Sequence, residues 1–113
     1  MYPWGLMMLR HVVLLRWSPA LEPGVAAAVL EELQDLVRTM PGALAANAVS
    51  TLGLTDDGYD AALIADFTDA DAWRAYQVDP RHQDFVSARL RPLLAGRAVI
   101  QVELPDPTLS ERG

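Results

Sequence analysis

Cysteine is absent from the chain. Disulfide staples, thiolate nucleophiles and cysteine-bound metals are therefore excluded, and the fold must rest on packing. Positive charge is scarce: nine basic residues face fifteen acidic ones, the formal net charge is −6, and no basic cluster interrupts it. A polyanion partner needs phosphate-neutralising cations, so DNA, RNA and acidic membrane surfaces are poor candidates. No apolar run approaches the roughly 20 residues of a membrane span. Residues 1–9 are apolar but contain Pro3 and Gly5, with no basic leading region and no small-residue cleavage site. We read no signal peptide there, and the expected compartment is the cytoplasm. Dinucleotide fingerprint, P-loop and nucleophile elbow are all missing, so no cofactor is expected. Two histidines and scattered aspartates match no metal-ligand spacing. Asp56-Asp57 reads as a turn with too few oxygens after it for calcium, and Glu31-Glu32 as the wet face of a helix.

What is present describes one globular domain. Apolar residues make up 51% of the 113 and charged residues 21%, a balance expected of a folded chain. A domain of this size buries about two-thirds of its unfolded surface, enough for one core with little room for a deep private pocket.

Residues 9–17 (LRHVVLLRW) alternate. Leu9, His11, Val13, Leu15 and Trp17 share one face of a strand; Arg10, Val12, Leu14 and Arg16 share the other. Ser18-Pro19 ends it. Pro23 opens a helix whose stripe is Val25, Val29, Leu33, Leu36, Val37 and Met40, and Pro41-Gly42 stops it. A strand over 45–53, with Val49 and Leu52 as its apolar members, a Thr55-Asp56-Asp57-Gly58 turn and a strand over 59–67 make an antiparallel hairpin. On the returning strand Tyr59, Ala61, Leu63, Ala65 and Phe67 line one face, and Ala62 and Ile64 belong to the other. Asp69 caps a short helix carrying Trp73 and Tyr76. Asp79-Pro80 starts another with Phe85, Val86, Leu90, Leu93 and Leu94, and Gly96 ends it. Residues 98–104 form the last strand. Residues 1–8 read as an extension, with Met7 and Met8 as alternative starts, and residues 105–113 as a polar tail.

This order is that of an α+β fold of the split βαβ, or ferredoxin-like, type: one antiparallel sheet with helices on one face. The other face carries Val12, Leu14, Ala62 and Ile64 and is too apolar to stay in water. A second copy packed on it through a two-fold contact, a homodimer, solves the problem.

Three segments, LRHVVLL (9–15), DGYDAAL (57–63) and WRAYQVDPRHQDF (73–85), resemble the stress-responsive dimeric α/β-barrel (Dabb) domain, over about residues 9–104. The resemblance implies a homodimer whose two sheets close into a barrel, with no single activity. Plant polyketide cyclases of this fold run an aldol condensation without metal or cofactor. They use a Tyr–His pair placed like Tyr76 and His82, and a His placed like His11. They also carry a His on the third strand, where this chain has Ala61, and a Tyr on the first helix, near Leu33 here.

Two readings fit each histidine. His11 is a core imidazole satisfied by one hydrogen bond, or it lines a cavity between sheet and helices. His82 lies in the first turn of its helix, where the positive dipole end disfavours imidazolium and leaves a neutral base near pH 7. Alternatively, Tyr76, Pro80, His82 and Phe85 merely fix the turn between two helices. The expected site is a mostly apolar cavity. His82 is the base, Tyr76 its hydrogen-bonding partner and His11 the polarising group, with Val13, Ala61, Leu63, Trp73 and Phe85 binding a small, uncharged or weakly anionic ligand. Two functions stay open: a cofactor-free cyclase or isomerase working by proton transfer, and a non-catalytic dimer that binds a small molecule or serves a stress response.

Overall fold

The computed structural model describes residues 7–106. Of the extension read at 1–8 and the polar tail read at 105–113, residues 1–6 and 107–113 lie outside them, and Pro105 belongs to the last strand instead of opening the tail. The strands are β1 (Met7–Trp17), β2 (Ala43–Ser50), β3 (Ala61–Phe67) and β4 (Leu94–Pro105), and the helices are α1 (Pro23–Arg38), α2 (Ala70–Val78) and α3 (Pro80–Phe85). A π-helical turn, Val86–Leu90, and a 3₁₀ turn, Arg91–Leu93, lead from α3 into β4. The sheet order is β2-β3-β1-β4, antiparallel throughout. This is the expected ferredoxin-like α+β arrangement.

The alternation along β1 is realised as drawn. His11, Val13 and Leu15 are buried toward the helices, opposite Ala65, Leu63 and Ala61 of β3. The α1 stripe meets them: Val29, Leu33, Val37 and Met40 join Leu15, Leu63 and Phe67 in one core. Gly42 (φ 82°) turns the chain from α1 to β2, and a Cβ there would stand 2.6 Å from Cβ of Ala72, so only glycine fits. Phe67 has no exposed surface and packs its ring 5.2 Å from that of Tyr76. Phe67→Ala is therefore expected to cost about 3–5 kcal/mol and to lower the melting temperature by more than about 10 °C. A melt by circular dichroism within a few degrees of wild type contradicts that packing.

Several sequence boundaries move. Met7 and Met8, read as extension, belong to β1, because they pair with Pro105 and Leu104. Leu52 lies beyond β2 and is 86% exposed. The third strand starts at Ala61 instead of Tyr59. Asp60 accepts the Trp17 backbone N–H at 2.8 Å, while Tyr59 leaves the inner face and lies under the Arg16 guanidinium, 4.5 Å from its ring centre. Gly96 does not end a helix but lies inside β4, as does Leu94. Pro92 explains this: without an N–H it cannot continue an α-helix, so the chain tightens into the 3₁₀ turn and leaves as strand two residues before Gly96.

The sheet face away from the helices has Val12 at its centre, flanked by Ile64 and Ile100. Ile100 is 57% exposed and Val49 46%. Its buried charge is paired: Arg10 donates to both carboxylate oxygens of Asp66, at 2.8 and 3.0 Å.

Candidate functional site

Between the helix-facing side of the sheet and the α2–α3 segment lies a cavity of about 840 Å³. Its floor comes from β1, which brings His11, Val13 and Leu15. One wall is α2 with Trp73, Tyr76 and Gln77; the turn into α3 adds His82 and Gln83; β4 closes the side with Arg97, Val99 and Gln101. Two aspartates build the corner. Asp69 caps α2 by accepting the Ala72 N–H at 2.8 Å, and Asp79 caps α3 by accepting the Arg81 N–H at 2.8 Å. That corner folds the six-residue separation of Tyr76 and His82 into contact, with ring centres 4.0 Å apart.

Of the residues expected from sequence, His11, Val13, Leu63, Trp73, Tyr76 and His82 line this space. Ala61 and Phe85 do not. Ala61 is buried against the core, and its accessible edge belongs to a smaller hollow beside Leu14 and Tyr59 on the opposite sheet face. Phe85 packs on the core from α3. The expected hydrogen bond between Tyr76 and His82 is also replaced: the rings lie against each other, tilted by 40°. Leu33 lines the cavity and gives its inner end an apolar wall.

His11 fits both of its sequence readings. It is only 4% exposed, and the Gln101 amide nitrogen stands 3.0 Å from Nδ1, so its lone pair there is used and its proton sits on Nε2. The ring meets Trp73 and Tyr76 at centroid distances of 5.9 and 6.0 Å. Burial, reinforced by the positive potential of His82 and Arg97, pushes its pKa down to about 4. Burial lowers the His82 pKa as well; contact with the Gln77 backbone and the charge of Asp79 oppose it, and Arg97 adds to it. Burial raises the Tyr76 pKa and keeps the phenol protonated. Two polar atoms in this corner, Trp73 Nε1 and His82 Nδ1, are buried without a hydrogen-bond partner. The site therefore offers two neutral imidazoles and a neutral phenol in one cavity, whose walls, with Gln77, Gln83, Arg97 and Gln101 among them, are less apolar than the sequence led us to expect. Among the described residues no three imidazole or carboxylate side chains cluster in a way that holds a metal ion.

The His11 pKa makes stability depend on pH. Unfolded, His11 takes a proton near 6.5; folded, only near 4. Below pH 6.5 the unfolded chain thus holds the extra proton. Stability falls as pH drops through this window, by roughly 3 kcal/mol once below 4. Depressed His82 pushes the same way. His11→Leu removes the larger part, so melts between neutral pH and 4 should fall less steeply for the variant; equal slopes refute the assignment.

Sequence reasoning missed Gln77, Gln83, Arg97 and Gln101. The last two stand on the face of β4 that continues from Leu15 and His11 through the pairs Leu15–Arg97 and His11–Gln101.

The profile of the stress responsive A/B barrel domain matches residues 9–104. A dimeric ferredoxin-like protein of unknown function from Thermobifida fusca is 32% identical, with a TM-score of 0.78 over 88% of this chain and 93% of that one. A Dabb family protein from Mesorhizobium loti is 21% identical, with a TM-score of 0.74 over 88% and 98%. The hydroxynitrile lyase of Passiflora edulis shares the fold at 16% identity, with a TM-score of 0.76 over 88% and 94%. No curated protein matches in sequence. With a family profile spanning every strand and helix that builds the cavity, the chain belongs to the stress responsive A/B barrel domain family.

Proposed function

We propose that this protein is a homodimer whose subunits each bind a small, partly apolar carbonyl compound and move a proton on it without metal or cofactor. The observation that carries this reading is the contact of His82 with Tyr76 inside the 840 Å³ cavity that His11 also lines. His82, kept neutral by burial, takes a proton from the carbon next to the carbonyl, and the C–H electrons move to the carbonyl oxygen as an enolate. The Tyr76 hydroxyl and the Nε2–H of His11 are the donors available to that oxygen. Return of the proton to another carbon gives an isomerase; attack of the enolate on a second carbonyl of the same molecule gives a cyclase.

The test needs no knowledge of the natural substrate. A panel of 1,3-dicarbonyl compounds in deuterated water exchanges its activated protons, which proton NMR follows directly. Exchange above the buffer rate in wild type, lost in His82→Ala, supports the reading; exchange at the buffer rate throughout the panel refutes it. A second reading, a dimer that holds a small molecule without transforming it, is favoured by the ring-on-ring packing of Tyr76 and His82. It predicts saturable binding with no such exchange.

The homodimer is supported by the uncovered apolar face around Val12, Ile64 and Ile100. The Thermobifida fusca relative, described as dimeric, agrees with it.

A further inference from the structure

We propose that the cavity's ligand is an organic acid and that Arg97 anchors its carboxylate. The inference rests on the small-molecule reading of the cavity and names the chemical class of the molecule. Eight arginines lie among the described residues, and six are engaged. Arg10 pairs with Asp66, Arg74 with Asp71, Arg81 with Asp79 and Arg89 with Glu32. Arg38 donates to the Ala46 carbonyl, and Arg16 covers the Tyr59 ring. Only Arg91 and Arg97 have no partner among the described residues, and both line the cavity. Fifteen acidic residues give the chain its charge of −6, yet among the described residues no aspartate or glutamate lines this space.

A chain so rich in carboxylates that keeps all the described ones off two guanidinium groups leaves those groups for something else. A guanidinium presents a rigid fork of donors matched to a carboxylate, and its charge is permanent. Arg97 is the better placed of the two. It stands on β4 opposite Leu15, on the face that carries Gln101 to His11. Its charge is felt by both histidines. A carboxylate held at Arg97 projects the rest of its molecule inward across Val13 and Leu33 toward Trp73, Tyr76 and His82. The overall negative charge repels anions elsewhere on the surface, so this is where the chain accepts one.

Benzoate and benzamide test this, because they share ring and size and differ in charge. Nitrogen-15 NMR reads each titration at the Trp73 indole N–H, assigned by Trp73→Phe. In wild type, benzoate is expected to bind about tenfold more tightly than benzamide, and Arg97→Gln to abolish that preference while leaving the spectrum otherwise folded. Arg97→Lys retains part of it, and Arg74→Gln, at an exposed partner of Asp71 that does not line the cavity, retains it all. Equal affinities in wild type, or a preference that survives Arg97→Gln, overturn the anion anchor and leave the cavity reading standing. Silence from both probes removes the cavity reading and the anchor together.

Discussion

On the proposed proton-transfer reading, replacing His82 with alanine is expected to slow proton exchange by about 10²–10⁴-fold, the usual contribution of one positioned general base. The direct effect is chemical. The imidazole supplies the lone pair, and its low pKa keeps that lone pair free at neutral pH. Tyr76→Phe should cost less, because it removes one hydroxyl and preserves the ring that packs on Phe67 and His82. Both variants should remain folded. His82 is half-buried in the first turn of α3, at the cavity wall and outside the hydrophobic core, and the Asp79 cap does not depend on its side chain. Thermal melts run beside the exchange assay separate the outcomes. Full turnover in His82→Ala removes the residue from the chemistry. Loss of the folded dimer instead makes His82 a structural wedge between α2 and α3.

Ile100→Glu is expected to turn a dimer into monomers. In the single chain this side chain is 57% exposed, next to Val12 on the sheet face that no helix covers. A charge there costs the isolated subunit little. In a two-fold contact every substitution is made twice, and each glutamate would lose its water on association. The desolvation penalty is several kcal/mol per ion, and about 4 kcal/mol for the pair already weakens association roughly a thousandfold. Light scattering should give twice the chain mass for wild type and one chain mass for the variant. A wild-type monomer removes the dimer, and a dimeric Ile100→Glu moves its interface to another surface.

The parts of this molecule that could be read in its sequence are the parts decided locally. The α1 stripe from Val25 to Met40 repeats at helical spacing, and β1 alternates strictly. Both Asp caps lie immediately before the helices they start, which is why the local sequence already implies the approach of Tyr76 to His82. What resisted was the stretch after Phe85. Apolar Val86, Leu90, Leu93 and Leu94 look like one continuing helix, whereas Pro92 and the register of β4 break it into a π turn, a 3₁₀ turn and a strand. Arg97 and Gln101 were invisible for a related reason. Their place beside His11 depends on how β4 pairs with β1, and the hydrogen bond that shows it joins residues 90 positions apart. Nothing in the neighbourhood of Arg97 announces that pairing. The misassigned Ala61 reveals the opposite limit: strand parity gave its face correctly, but parity alone does not say how far along that face the core ends and the cavity begins.

The π turn at Val86–Leu90, closed by the Arg91 N–H on the Val86 carbonyl, has a consequence for how this scaffold can change. Such a turn holds one more residue than an α-helix uses for the same advance. Val86, Ser87 and Leu90 all face the cavity from it. Removing a single residue here would restore ordinary helical winding and change which side chains of this turn face the cavity, while the residues that follow and the four strands keep their places. The wall opposite His11 can thus be re-cut by a length change in one short segment, so new ligands become accessible to the lineage without rebuilding the sheet.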